Sequence, residues 1–314
     1  MPLHPIIARI IHSAYAKGHG DLHLQTVNEV REHYRRSFQP PSSVSPSQDY
    51  QANDCVLRLH RPLKPQDNAL PAIIHLRACG HTMGSLNDTD DFCQQLADYC
   101  QCVVVAMEPR LCPEVKFPVP VYDCLDGLHC LHEHHTELGI DPKKIGVWGE
   151  SSGGCYAAGL CQLVKGQGLI QQQVLIYPAL DYYTQYPSNL QYGTGFLMDN
   201  TLTNWFLKNY ARDPEDYSHP LVSPALATDF SGLPPTLIIG AECDPLRDGM
   251  DVYFQKLAAA NVNVNAVYFL GVTHSFLWFK RTVDTARMAL YYAADHLKLR
   301  FAGLKEAQST VNLD

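Results

Sequence analysis

Short apolar runs recur along the chain at AIIHL (72–76), CVVVAM (102–107), KIGVWG (144–149), QVLIYP (173–178), TLIIGA (236–241) and VNAVYFL (264–270), after a more alternating CVLRLH at 55–60. A run of four to eight residues rich in Val and Ile, with no polar face, suits a strand covered on both sides, as in a parallel sheet with helices on either face. Between the runs lie helix-like segments: DFCQQLADYC, VYDCLDGLHCLHEHH, GMDVYFQKLAAA and TARMALYYAADHLKLRF. Strand, helix, strand repeated in this way predicts an α/β fold with a mostly parallel central sheet and helices on both faces. A chain of 314 residues can build this as one domain spanning 1–314.

Two segments break the alternation. Residues 1–48 read as helices followed by the loop QPPSSVSPSQ, whose Pro and Ser content interrupts regular structure. Residues 181–230 contain no strand-like run and are rich in Tyr, Phe and Trp. Some 50 residues is too long for a structureless loop in a compact domain, so a helical cap over a site is expected there. Within it, Trp205, Phe206 and Tyr210 of NWFLKNY are candidates for an apolar wall over a substrate. Large aromatics also commonly pack one layer onto another, and that alternative stands beside the first.

Composition excludes several classes of function. A net charge of −8 argues against a polyanionic partner, because nucleic-acid binding needs a basic surface. No apolar run reaches the roughly 18 residues of a membrane span; IIARIIHSAYAKG is broken by Arg9 and His12 and suits a short amphipathic helix. With no targeting signal, the cytoplasm is the expected compartment. The eleven cysteines are odd in number and lie in apparent strands and helices, which fits reduced, buried thiols. The run HCLHEHH (129–135) raises the question of a metal, but it lacks the His-Glu-x-x-His spacing and is read as the solvated face of a helix.

The chemistry is concentrated in GESSGG, 149–154, directly after the strand-like IGVW. Gly-x-Ser-x-Gly between a strand and a helix is the pattern of a nucleophile elbow, a turn so sharp that its serine projects from the top of the sheet. Two further residues support that reading over an ordinary turn. Asp244 follows TLIIGA in the loop ECDPLRD, and His274 follows VNAVYFL in the loop GVTHSF. Serine, acid and histidine in that chain order, each after a strand, is the arrangement by which an α/β hydrolase assembles nucleophile, orienting anion and base. Ser151, Asp244 and His274 are therefore the candidate catalytic residues.

These motifs resemble the hormone-sensitive-lipase group of α/β hydrolases, the bacterial family IV esterases. GESSGG is similar to that group's GDSAGG, DPLRD at 244–248 matches its DPLRD, HSF at 274–276 resembles its HGF, and FPVPVYDC at 117–124 resembles its FPAALEDC. The likeness runs from about residue 55 to 300, and it implies a helical cap built from about 1–48 together with about 181–230. It implies hydrolysis of short-chain carboxylic esters through an acyl-enzyme, a small-molecule ester as the partner, no cofactor and no metal. It also implies pairing of two copies through the last strand, which would make VNAVYFL a homodimer edge. The group's HGGG oxyanion motif aligns with RACG, Arg77–Gly80, so the backbone N–H groups of Cys79, Gly80 and Ser152 are the expected oxyanion donors. Replacing two glycines with Ala78 and Cys79 threatens their aim, and a misplacement of about an ångström can cost 10²-fold, so a modest enzyme is expected. Arg77, in place of the motif's histidine, either braces the loop by pairing with an acid such as Glu114 or points its charge to solvent. The alternatives are a hydrolase-fold ligand-binding protein and an amidase using the same three residues.

Overall fold

The computed structural model describes residues 2–37, 47–65 and 69–303. Its strands are β1 (Ser47–Ala52), β2 (Cys55–His60), β3 (Leu70–Leu76), β4 (Val103–Glu108), β5 (Ile140–Glu150), β6 (Gln172–Ile176), β7 (Thr236–Cys243) and β8 (Val264–Thr273). They form one sheet in the order β1-β2-β4-β3-β5-β6-β7-β8. β1/β2 and β2/β4 are antiparallel, and every later pair is parallel. The strand-like apolar runs each fall on a strand, and the central ones are buried throughout: all five residues of β6 and the first six of β7.

Six helices follow the expected pattern: α3 (Asp90–Cys100), α4 (Val119–Glu133), α5 (Ser152–Leu163), α8 (Arg247–Ala259), α9 (Asp284–Phe301), and α1 (Pro5–Ala16) at the start of the chain. They are joined by α2 (Val27–Ser37) and by α6 (Pro187–Tyr192) and α7 (Asn200–Tyr210) inside the 181–230 segment. In α1, Pro5 opens the helix and Ile7 is its fully buried contact with the core. Tyr15 at its end donates to the Asp199 carboxylate at 2.6 Å, and His19 meets the Leu197 carbonyl at 2.5 Å. The N-terminal helices and the 181–230 segment thus hold each other above the sheet.

One expectation fails here. Most of the loop expected at 39–48 lies outside the described residues, but Ser47 and Gln48 begin β1, which pairs antiparallel with β2 from Ser47 opposite His60 to Ala52 opposite Cys55. β1 is a polar edge strand exposed along most of its length, so burial leaves no hydrophobic period in it.

Around the His-rich stretch, α4 ends at Glu133. His132 Nε2 meets the Leu169 carbonyl at 3.0 Å, and His135 Nδ1 meets the His132 carbonyl at 2.8 Å. These two half-buried rings tie the helix end to its surroundings, while His129, Glu133 and His134 are exposed, as expected of a solvated face. Among the described residues, no helix is long and apolar enough to cross a membrane.

Candidate active site

β5 ends at Glu150 and α5 begins at Ser152, leaving only Ser151 for the reversal of direction. Ser151 takes φ 52°, ψ −116°, a conformation costing a residue with a Cβ about 1–3 kcal/mol. It is held there because its N–H donates to the Ile176 carbonyl at 2.9 Å and its own carbonyl accepts from Gly154 and Ala179. The neighbouring glycines are required by contact. A Cβ on Gly149 would lie 2.4 Å from the Gly153 carbonyl oxygen, and one on Gly154 2.5 Å from the Pro178 Cβ. A Cβ on Gly153 would lie 2.0 Å from the Leu76 carbonyl oxygen. An ordinary strand-to-helix turn needs none of these approaches; this one presses the start of α5 against the end of β3.

The serine that the elbow exposes is met by the other two candidates. Ser151 Oγ lies 2.8 Å from His274 Nε2, and His274 Nδ1 lies 2.8 Å from Asp244 Oδ2. Asp244 Oδ1 accepts from the Leu246 N–H at 2.9 Å, which aims the carboxylate. Asp244 is fully buried and His274 nearly so. With Asp244 on Nδ1, the imidazole presents Nε2 to the hydroxyl, the order needed for a base that takes the serine proton and is steadied as a cation.

Residues 73–278 match the profile of a family described as alpha/beta hydrolase fold. The chain belongs to that family. It is 35% identical to an ethyl acetate hydrolase of Pseudomonas putida over 248 residues, 77% of each chain. It is 30% identical to an arylesterase of Saccharolobus solfataricus over 291 residues, 90% of this chain and 94% of the relative. Among solved structures, a hyperthermophilic esterase from the archaeon Pyrobaculum calidifontis superposes with a TM-score of 0.89 at 32% identity, over 96% of this chain and 99% of the other. The hormone-sensitive-lipase-like resemblance read from the motifs stands with these relatives.

As a member of the α/β hydrolases, the chain departs from the group's motif at RACG, and here the structure changes the reading. Cys79 has φ 107° and Gly80 φ 60°, whereas Ala78 is outside the positive-φ region. The glycine-like conformation is therefore kept at Cys79 despite its Cβ. Among the described residues, the Cys79 and Gly80 N–H groups donate to no other protein group, while the Cys79 carbonyl accepts from Thr82 and Met83. Burial pushes the Cys79 thiol up to about 11, against the opposing pull of Arg77, so this sulfur stays protonated at neutral pH.

The expected Arg77–Glu114 pair does not form. Arg77 turns inward, 92% buried by its 8% side-chain exposure, to the Met83 carbonyl at 3.1 Å and Glu108 at 3.6 Å. Glu114 is taken instead by Arg31 of α2, through two contacts of 2.6 and 2.8 Å. Arg31 also donates to the carbonyls of Thr82 and Cys112, so an arginine of α2, together with Arg77 on the Met83 carbonyl, ties this loop down. The reason is reach: the Arg77 guanidinium is engaged by the Met83 carbonyl and Glu108, while Arg31 of α2 lies within hydrogen-bond distance of Glu114.

The three aromatic candidates separate. Phe206 lines a cavity of about 320 Å³ together with Ser151, His274, Cys79 and Gly80. Trp205 is outside that lining and packs edge-on against Phe206 at 5.3 Å. Tyr210 is not at the cavity: it is fully buried and stacks face to face on His81 at 3.9 Å. Trp205 points about 100° away from Phe206 around α7, whereas Tyr210 shares the Phe206 face but sits one turn further along the helix, over His81.

A buried polar cluster beneath the elbow escaped the sequence reading. The Glu150 carboxylate accepts from Trp148 Nε1 at 3.1 Å and the Tyr177 hydroxyl at 3.2 Å, and pairs with His75 Nε2 at 3.3 Å. Burial alone would raise Glu150 and lower His75. The pairing reverses both: Glu150 is held below the usual carboxylate range by His75 ahead of Trp148, and His75 is pushed up to about 10 by Cys93 and Glu150. The Tyr177 ring lies 5.1 Å from the His274 ring, so this cluster supports the imidazole from behind. Its one sequence signal was an acidic residue at the variable position of Gly-x-Ser-x-Gly.

Proposed function

We propose that this protein is a serine carboxylesterase acting on short-chain acyl esters. Ser151 attacks the ester carbonyl while His274 takes its proton, and Asp244 orients the ring and steadies the imidazolium. The proton passes to the leaving alkoxide, and water, activated by the same histidine, releases the acid from the acyl-enzyme. The N–H groups of Cys79, Gly80 and Ser152 receive the carbonyl charge. Cys79 and Gly80 share the cavity with Ser151, and Ser152 is the first residue of α5, where the helix dipole favours an anion. Phe206 and the neighbouring cap residues close over the bound ester, and the helices of 1–48 and 181–230 act as its cap. The observation that carries the reading is the unbroken contact from Asp244 through His274 to Ser151 at the wall of an apolar cavity. It disfavours a ligand-binding protein, which has no use for a buried base held at both nitrogens.

The test is turnover of p-nitrophenyl esters from acetyl to palmitoyl against a p-nitroanilide, with Ser151→Ala as control. Acetyl to hexanoyl esters should be hydrolysed faster than palmitoyl, and the anilide hardly at all. Equal rates on the anilide would make the protein an amidase; no turnover of any substrate would return it to a binding role. The eleven cysteines are all unpaired, which supports a reducing, cytoplasmic setting, and β8 at the sheet edge is the surface through which two copies would pair.

The oxyanion assignment has its own test. Relieving positive φ at Cys79 should gain about 1–2 kcal/mol of backbone strain and lose the burial of one small side chain, so the two nearly offset. Cys79→Gly is expected to keep kcat for p-nitrophenyl acetate within about threefold of the wild type. Cys79→Val, whose branch resists positive φ, should lower it by about tenfold or more. A large rise in Cys79→Gly would instead mean that the natural loop misaims its donors, as the loss of two glycines first suggested.

A further inference from the structure

The cavity at Ser151 does not end at the cap helix. A second lobe of about 400 Å³ continues from it, with Ile10, Ala14, His19, Tyr34, Leu202 and Phe206 lining both. Together they make one groove between α1, α2 and α7. Its two ends differ in chemistry. Apart from the reacting groups, the polar side chains at the Ser151 end are Ser275 and the shared His19 and Tyr34, whereas the far lobe adds Ser13, Lys17 and His33. No Asp or Glu lines either lobe. Lys17 is exposed at the end of α1, and no ion pair among the described residues involves it. Its place as the C-cap of α1 suits the dipole. That accounts for the lysine, and His19 meets the Leu197 carbonyl through Nε2, but His33 of α2 reaches the same lobe with no acid lining it.

We propose that this far lobe is an anion subsite, and that the preferred substrates are esters of medium length whose remote end carries a carboxylate. The inference rests on the esterase reading above and names its substrate class. The apolar stretch takes the methylenes, Lys17 with His33 takes the carboxylate, and the ester bond lies at Ser151. Hydrolysis consumes one water and yields an acid and an alcohol, leaving the remote carboxylate unchanged. Such a site discriminates by charge at a distance from the reacting atoms, so it acts on binding and on kcat/KM rather than on the chemical step.

Two matched pairs test it, one for each side of the ester: monomethyl suberate against methyl octanoate, and 8-acetoxyoctanoate against octyl acetate. In the wild type, the charged member of at least one pair should have the higher kcat/KM. Lys17→Gln should lower that charged-to-neutral ratio about three- to fivefold, and Lys17→Glu should lower it further. Salt at about 0.5 M should shrink the wild-type preference. Lys143→Gln, an exposed charge at the other end of β5, should leave the ratio as it is. A ratio insensitive to Lys17 and to salt, with the esters still turned over, overturns the anion subsite alone. Failure to hydrolyse any of the four, or p-nitrophenyl butyrate, overturns the esterase reading and this inference with it.

Discussion

Ser151→Ala and His274→Ala are each expected to lower kcat by a factor on the order of 10⁵ to 10⁶, with the fold unchanged by circular dichroism and thermal melting. The three residues act on one proton: without the serine there is no nucleophile, and without the histidine the hydroxyl keeps its proton. The double variant should therefore be hardly slower than either single one. Asp244→Asn should lose less, because the ring and the hydroxyl remain, but the amide nitrogen facing Nδ1 favours the wrong tautomer. Losses that add across Ser151 and His274, or a stoichiometric organophosphonate adduct on another serine, would remove Ser151 from its role.

Gly153→Ala is expected to cost at least about 10²-fold in kcat and to lower the melting temperature, although it adds only a methyl group. Its Cβ would lie 2.0 Å from the Leu76 carbonyl oxygen and 2.5 Å from that of Arg77. Either α5 or the segment leading into Cys79 and Gly80 must then retreat by about an ångström or more, and an active-site shift of that size is expensive. Overpacking of this kind typically destabilises by about 1–3 kcal/mol. Gly159→Ala, later on the same helix, is the control. Its Cβ would find its nearest neighbour at 3.6 Å, in ordinary contact, so it should leave kcat unaltered and add about 0.5–1 kcal/mol of helix stability. Wild-type kcat in Gly153→Ala would show that the tight approach of α5 to β3 has no part in aiming the oxyanion donors.

Much of this protein was legible before any coordinates. The central strands announce themselves because burial on both faces requires unbroken apolar runs, as in VVVAM and TLIIG. Ser151, Asp244 and His274 are readable because strand ends and loop order place them, and neither depends on side-chain packing. β1 was lost because an exposed edge strand has no burial to pattern its residues. Three other decisions belonged to the tertiary structure alone. Whether Arg77 or Arg31 takes Glu114 depends on which way each side chain leaves its element. Which of Trp205, Phe206 and Tyr210 meets the cavity depends on the rotation of α7 about its axis and on where along it the cavity lies, since Phe206 and Tyr210 share a face. Whether Cys79 can stand where the motif has glycine depends on the backbone angle its surroundings enforce, φ 107°. A linear sequence specifies what each residue can do and roughly where along the chain it acts. Direction in space is set only when the elements pack, because each side chain then points where its neighbours leave room.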